Sequence, residues 1–536
     1  MPKIQGKITL IRKVMQLFLR PKRLRHRPTR FFLLFIILAL VAGDGISSIQ
    51  AWAEQPQRPT PDQLKKILDD FENYAEQAQK DWQVPGMAIA IVQDDKVIFA
   101  KGFGVKKVGG NDKVDKHTIF QIGSTSKAFT ATLVGMMVDE KKLAWQDRVV
   151  DRLEQFQMFD PWVTREFQVA DLMAQHSGLP QFAGDGQAFM GFDRAHIIHS
   201  LRYLKPVSSF RSQYAYQNGL FLVAAALVEK YTGKSWEDNL KARLLEPLGM
   251  TSITAGLEGF KEAKNVTFLH EKTGDHVEPI PSDWPYHNWV YIYGPAGGIN
   301  SNVLDMTKWL QLQLDKGKVN GKQLISKANL DFLQTPKTIM GTDPSKMAYY
   351  CEAWVYQPFH PCPIIWHNGG TSGNKTMVAF MPEVGLGIVV LSNLITNLPE
   401  SLAFQFFDLY FHNPPRDWSK ERLEDMKQAE AKDKPPPRPA SPAPPLPFER
   451  YASTFDNPVY GQFTIIPEQD KLYMVFGQNK HKVLLQPFDR DWFTFTWLND
   501  LSSAVFTIGP DGWAQSMLVD WDGGTEFKRV EAKPGS

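Results

Sequence analysis

The sequence predicts an α+β protein, in which one antiparallel sheet with a helical insert is followed by a smaller all-β domain. Two apolar strand-like runs near residue 90 and three more between 363 and 393 bracket a mainly helical stretch. A proline-rich spacer, "KPPPRPASPAPPLP" (434–447), then interrupts the chain. Beyond it, strand-like runs return about every ten residues. At 536 residues and 43% hydrophobic, the chain has ample material for a large core.

The first 53 residues read as a signal peptide or N-terminal anchor. Residues 1–30 hold ten Lys and Arg and no acid, "FFLLFIILALVA" (31–42) is apolar, and Ala51-Trp52-Ala53 offers a small-x-small cleavage site. Twelve apolar residues are short of the ~20 a membrane helix needs, so membrane association through residues 31–43 requires an uncleaved leader in which "GDGISSIQ" dips into the interface. An exported, periplasmic or extracellular protein is expected. Inner-membrane anchoring facing the periplasm is the alternative, and organelle targeting is the less favoured one. The formal charge of +2 belongs to this leader, because residues 54–536 carry 50 basic and 57 acidic side chains, a net of −7. That balance excludes a nucleic-acid partner.

Helical spacing after Thr60-Pro61 predicts a helix over 62–80, and "GMAIAIVQDDKVIFAKGFGV" (86–105) predicts two strands around an Asp-Asp turn. Residues 117–250 are mainly helical. "PIIWHNGG", "TMVAFMP" and "GLGIVVLSN" supply the later strands and 401–411 a closing helix, so the sheet should draw its edges from both chain ends. Residues 418–434 are charged and helical. The resulting division is a first domain over 54–425, a charged and then proline-rich linker over 426–447, and an antiparallel β domain over 448–536, a barrel or a sandwich. No nucleophile–base arrangement occurs in the last, which reads as a structural module or a surface for oligomerisation or partner binding. Cys351 and Cys362 flank a predicted hairpin, which leaves open a bridge across it or two unpaired core thiols.

Catalytic chemistry concentrates in "FQIGSTSKAFTATLVGMM" (120–137). Ser124 and Lys127 stand at i and i+3, on one face of a helix that begins near the serine. A helix N-terminus stabilises developing negative charge, and its free N–H groups can hold an oxyanion. A lysine in an apolar wall loses its charge easily and can take the serine proton. Ser126 faces elsewhere. Ser372-Gly-Asn-Lys375 matches the same spacing in a Gly-rich turn, so the pair needs partners. Tyr216-Gln217-Asn218, ahead of another apolar helix, offers a tyrosine that nearby cations could ionise below its usual pKa of ~10 and an amide for Lys127 or a substrate carbonyl. Tyr286-His287-Asn288 competes, but lies in a polar, Pro-rich loop.

With "GSTSK" and Tyr216-Gln217-Asn218 in this order, residues 65–415 resemble the serine β-lactamase-like hydrolases: class C β-lactamases, penicillin-binding DD-peptidases, D-aminopeptidases and related esterases. "VADLMAQHSGLP" (169–180), "LLEPLGM" (244–250) and "GPAGGINSNVLDMTKWL" (294–310) are minor signposts of the same family. The resemblance implies a β-lactamase/transpeptidase-like domain, followed here by a lipocalin-like barrel or sandwich. Its third motif is K-T-G or a variant. The literal Lys272-Thr273-Gly274 has polar flanks and precedes "PAGG", whereas His367-Asn368-Gly369 has an apolar approach and two glycines, and takes the place as H-x-G. His176-Ser177-Gly178 belongs to the "HSGL" signpost. The resemblance implies that Ser124 attacks a carbonyl and that Lys127 and Tyr216 move protons. It further implies that the N–H groups of Ser124 and Gly370 hold the oxyanion, while Asn218, His367 and Gly369 position substrate, with no metal or organic cofactor. H-x-G resembles the D-aminopeptidase and esterase branches more than true β-lactamases, so the expected substrate is a peptide with D-residues or a small ester. The competing class is a non-catalytic, penicillin-binding-like protein that recognises cell-wall peptides or a partner.

Overall fold

The computed structural model describes residues 58–341, 347–432 and 437–530. The expected leader, with its cleavage site and residues 31–43, lies outside them. Among the described residues no helix is long and apolar enough to cross a membrane.

The first helix, α1 (Pro61–Asp81), starts at a capping box in which Thr60 and Gln63 bond each other's backbone, with Pro61 in the first turn. Its apolar stripe, Ile67, Phe71, Ala75 and Ala78, is buried. Strands β1 (Gly86–Gln93) and β2 (Lys96–Gly104) form the expected hairpin. Three helices then matter for the site: α2 (Ser126–Asp139), α3 (Gly219–Thr232) and α4 (Val303–Leu314). The remaining sheet strands are β3 (Thr338–Ile339), β4 (Tyr349–Tyr350), β5 (Val355–Gln357), β6 (Ile364–Gly370), β7 (Lys375–Met381) and β8 (Leu386–Ser392). Helix α5 (Leu398–Tyr410) closes this part, and α6 (Trp418–Lys432) follows.

The eight strands form one antiparallel sheet in the order β2-β1-β8-β7-β6-β5-β4-β3. The early hairpin pairs with the last strand, as expected from its two-sided apolar runs. One edge is β2, but the other is β3, from the middle of the chain and not from its late part. Strands of two residues carry no period-2 signal, which is why 338–350 gave no strand pattern to read, whereas the first strand of the hairpin expected between the cysteines appears as β5, paired with β6. Both faces of β1 are buried: Ala88, Ala90 and Val92 join the core under α2 and α4, and Met87, Ile89 and Ile91 the core under α1 and α5. Phe129 of α2 stacks on Trp309 of α4 with ring centroids 3.8 Å apart, and Phe71 of α1 meets Phe406 of α5 at 5.3 Å.

Cys351 and Cys362 are both free and buried, one in each of these two cores. No bridge crosses the hairpin, because the two thiols serve opposite faces of the sheet. Burial pushes each thiol up to about 12. Both are therefore expected to ignore a thiol-disulfide reagent at pH 8 in the folded protein and to react within minutes once it is denatured. Rapid native-state titration of either would contradict this packing.

The C-terminal part is a closed eight-stranded barrel: β9 (Ser453–Asn457), β10 (Gly461–Glu468), β11 (Lys471–Phe476), β12 (His481–Asp489), β13 (Trp492–Trp497), β14 (Asp500–Ile508), β15 (Ala514–Val519) and β16 (Thr525–Arg529). Seven of these strands are legible in the sequence. β9, "STFDN", is polar except for Phe455, whose ring fills the barrel interior. Closure removes the exposed edges that a sandwich would leave. Within the spacer, Ala443 and Arg438 bond the last two residues of β12, Asp489 and Phe488.

Candidate active site

Gly123 opens the site. Its φ of +54° is a conformation that side chains resist, and it turns the chain from Ile122 into the short 3-10 turn Gly123–Thr125 ahead of α2. A Cβ on Gly123 would come within 2.7 Å of Gly370 N, so β6 can lie directly against the turn only because residue 123 is glycine. Gly369 is tighter still, since a Cβ there would sit 2.0 Å from Ile122 O. Thr376 on β7 ties the same carbonyl with a hydrogen bond of 2.8 Å. On the other side the Gly294–Gly297 turn packs on α2, where Thr130 Oγ1 donates to Pro295 O at 2.7 Å. Ile299 N donates to Ser126 Oγ at 3.2 Å, which removes Ser126 from the site.

Ser124 is thereby placed at a cavity of about 430 Å³, with Lys127 behind it. Lys127 is fully buried, and its Nζ donates to Ser124 Oγ at 3.1 Å, Asn218 Oδ1 at 2.6 Å and Ala296 O at 3.0 Å. It also sits over the rings of Tyr216 and Phe221, 4.6 and 5.2 Å from their centroids. Burial brings its ammonium down to about 7, against the opposing pull of Asp185. A lysine so placed is substantially neutral at physiological pH and can accept a proton.

Asn218 passes the contact on. Its Nδ2 donates to Asp185 Oδ2 at 2.5 Å. Burial pushes the Asp185 carboxyl up to about 7, partly offset by Asn218 and Lys127, while Asp522 raises it further. Its Oδ1 finds no partner among the described residues. Asp185 escapes sequence reasoning because it lies in a short Gly-rich loop, "FAGDGQAF", with no periodicity to mark it.

Tyr216 lines the same cavity as Ser124, but its titration runs opposite to expectation. Burial raises the hydroxyl well above 10, and the anions Tyr214 and Asp185 would form add to that. Desolvation is the largest influence on Tyr216, and the lysine beside it is itself brought down to about 7. A neutral Tyr216 hydroxyl can donate a proton, and Lys127 can accept one.

His367 lines the same cavity, yet its ring faces Tyr350. Its Nδ1 lies 2.5 Å from Asn368 O, an acceptor only, so Nδ1 carries the proton and Nε2 accepts from the Tyr350 hydroxyl at 3.0 Å. Burial, with Lys127 nearby, takes the imidazole down to about 3, and it stays neutral. Asn368 donates to Glu400 at 2.7 Å, and Lys375 pairs with the same carboxylate at 2.9 Å. Gly370 opens into the cavity with space where a side chain would be. Asp185 reaches the cavity from the 183–213 segment, and Trp289 and Tyr293 reach it from the 255–295 segment.

The competing motifs fall elsewhere. Lys272-Thr273-Gly274 forms the tip of a surface hairpin, His270–Thr273 with His276–Pro279. Tyr286 contacts the barrel through Trp497 and His481. Ser372 accepts from Trp289 Nε1 at 2.7 Å. His176 bonds Asp171 and Thr338, holding the "HSGL" loop to β3.

Comparison with known proteins matches residues 71–402 to the family described as Beta-lactamase and residues 437–534 to a domain of unknown function (DUF3471). The chain is 29% identical to an unguisins hydrolase from Aspergillus campestris over 86% of this chain and 91% of that protein. It is 27% identical to penicillin-binding protein 4 from Amycolatopsis lactamdurans over 61% of this chain and 84% of that protein. Among solved structures, the octameric penicillin-binding protein homologue from Pyrococcus abyssi superposes with a TM-score of 0.58 at 20% identity, covering 86% of this chain and all of that one. The last likeness is one of fold.

Proposed function

Because the chain belongs to the beta-lactamase family of hydrolases, we propose that it cleaves amide or ester bonds through an acyl-enzyme on Ser124. The observation that carries this reading is the 3.1 Å contact between Ser124 Oγ and a buried Lys127 Nζ. Neutral Lys127 takes the Ser124 proton as Oγ adds to the substrate carbonyl. The N–H groups of Ser124 and Gly370 hold the resulting oxyanion, and Gly369 keeps the strand close enough for them to do so. Tyr216 carries the proton to the leaving group, and water then releases the acyl group by the reverse path. Asn218 holds Lys127, and His367 fixes the cavity wall through Tyr350.

A peptide, particularly one with D-residues, or a small ester fits this cavity better than a β-lactam. His367 brings no positive charge, and the charge of Lys375 is committed to Glu400. Aromatic side chains line much of the wall, among them Tyr214, Trp289, Tyr293, Tyr350 and Trp366. The basic and apolar leader supports an exported enzyme.

The test is the pH dependence of Ser124 acylation by a fluorophosphonate. Only neutral Lys127 accepts the proton, so the rate should climb as pH rises through about 7 and level off above it. A profile flat from pH 5.5 to 8.5 would overturn the role of Lys127.

A further inference from the structure

The loop that carries Asp185 is packed into the barrel. Gly184 N faces both carboxylate oxygens of Asp522 at 3.4 Å, and Asp522 in turn accepts from the Tyr460 hydroxyl. Tyr293, a cavity residue, donates to Gly184 O at 3.1 Å. A few residues on, Gln478 N donates to Met190 O at 2.8 Å and His481 bonds Phe189 O at 3.2 Å. Met190 and Phe192 share one continuous apolar core with Tyr460, Phe476 and Trp497 of the barrel. Asp522 itself is held at φ +51°, in the turn Trp521–Gly523 between β15 and β16.

We infer that the barrel completes the active site: Asp522, held by Tyr460, is a positioning residue that fixes the Gly184–Asp185 turn and, through Asp185 and Asn218, the Nζ of Lys127. This rests on the reading of Lys127 as the base. It differs from that reading in assigning the C-terminal domain a part in the proton chemistry, where the sequence alone allows only a structural or interaction module.

The charges around the turn give the inference its sign. The groups facing Asp185 are Lys127 from α2, Tyr216 and Tyr293 from the cavity wall, and Asp522 and Tyr460 from the barrel. All three tyrosines are held well above their usual value by burial and stay neutral. Asp522 is therefore the anion that disfavours a second anion at Asp185. With less negative charge at Asp185, Lys127 is less inclined to hold its own proton. Removing the Asp522 charge lets Asp185 ionise more readily and makes Lys127 more basic.

The experiment uses full-length protein carrying 13C-lysine, with the Lys127 Cε resonance assigned by its loss in Lys127→Arg and followed from pH 5 to 9. Ser124 acylation by a fluorophosphonate is measured in parallel. Asp522→Asn keeps the shape and removes the charge, and should raise the Lys127 midpoint by roughly half a unit or more, with the acylation profile moving by the same amount. Tyr460→Phe keeps the ring in the barrel core while leaving Asp522 less anionic. It should move both in the same direction by less, and it supplies the readout if the first variant does not fold. Unchanged midpoints in folded variants, or a uniform loss of acylation with no change of midpoint, would overturn the inference. A shifted Lys127 resonance without any acylation of wild-type Ser124 would support the positioning chain and overturn only the acyl-enzyme reading.

Discussion

Lys127→Met is expected to slow acylation of Ser124 by about 10²–10⁴-fold, the range that general-base assistance contributes. Methionine matches the length and volume of the lysine stem, so packing against Tyr216 and Phe221 survives while the proton acceptor disappears. Two polar partners, Asn218 Oδ1 and Ala296 O, lose their donor. Leaving a buried acceptor unmet costs about 1–3 kcal/mol, but the variant no longer buries an ionisable amine, and the two effects oppose each other. Stability within a few degrees of wild type is therefore expected, with the rate collapsed across the whole pH range and not merely shifted. Stopped-flow acylation and a thermal melt on the same sample check both halves. Wild-type acylation in a folded Lys127→Met protein would remove the lysine from the mechanism.

Gly369→Ala should act through the backbone. A methyl at 369 would overlap Ile122 O and lie 2.5 Å from Thr376 Oγ1. Neither neighbour can yield without parting β6 from the turn that carries Ser124 and breaking the Thr376–Ile122 hydrogen bond. Overpacking of this kind costs about 1–3 kcal/mol, and the displaced oxyanion donor about 10²–10³-fold in rate. Gly370→Ala separates the two effects. Its methyl meets nothing within 4 Å, so stability should be retained while the side chain intrudes on the cavity. Denaturant unfolding beside acylation kinetics reads both variants. A Gly369→Ala protein as stable and as fast as wild type would show that the close approach is not needed.

The parts of this architecture with a strong local signal were readable from the chain. Helix α1 announces itself by Thr60, Pro61 and its apolar spacing, and β1 and β8 by apolar runs buried on both faces. The nucleophile turn was readable for a physical reason: glycine at 123 and serine at 124 stand where a helix N-terminus must begin. Relations across the fold were not. Asp185 becomes significant only when Asn218 lies 2.5 Å away, and Tyr350 only when a two-residue strand brings it to His367. The direction of the Tyr216 titration also depends on tertiary structure, since burial dominates and the neighbouring lysine is itself brought down to about 7. The contribution of the barrel to the site rests on Asp522, 337 positions beyond Asp185, and no spacing rule reaches that far.

The central claim is that Ser124 is the nucleophile, and peptide mapping of a covalent adduct tests it most directly. Full-length protein is treated with a fluorophosphonate at pH 8, digested, and read by mass spectrometry alongside Ser124→Ala. The account predicts stoichiometric modification of the peptide that contains Ser124 in wild type and none in the variant. An adduct on another residue, or equal modification of both proteins, would contradict it.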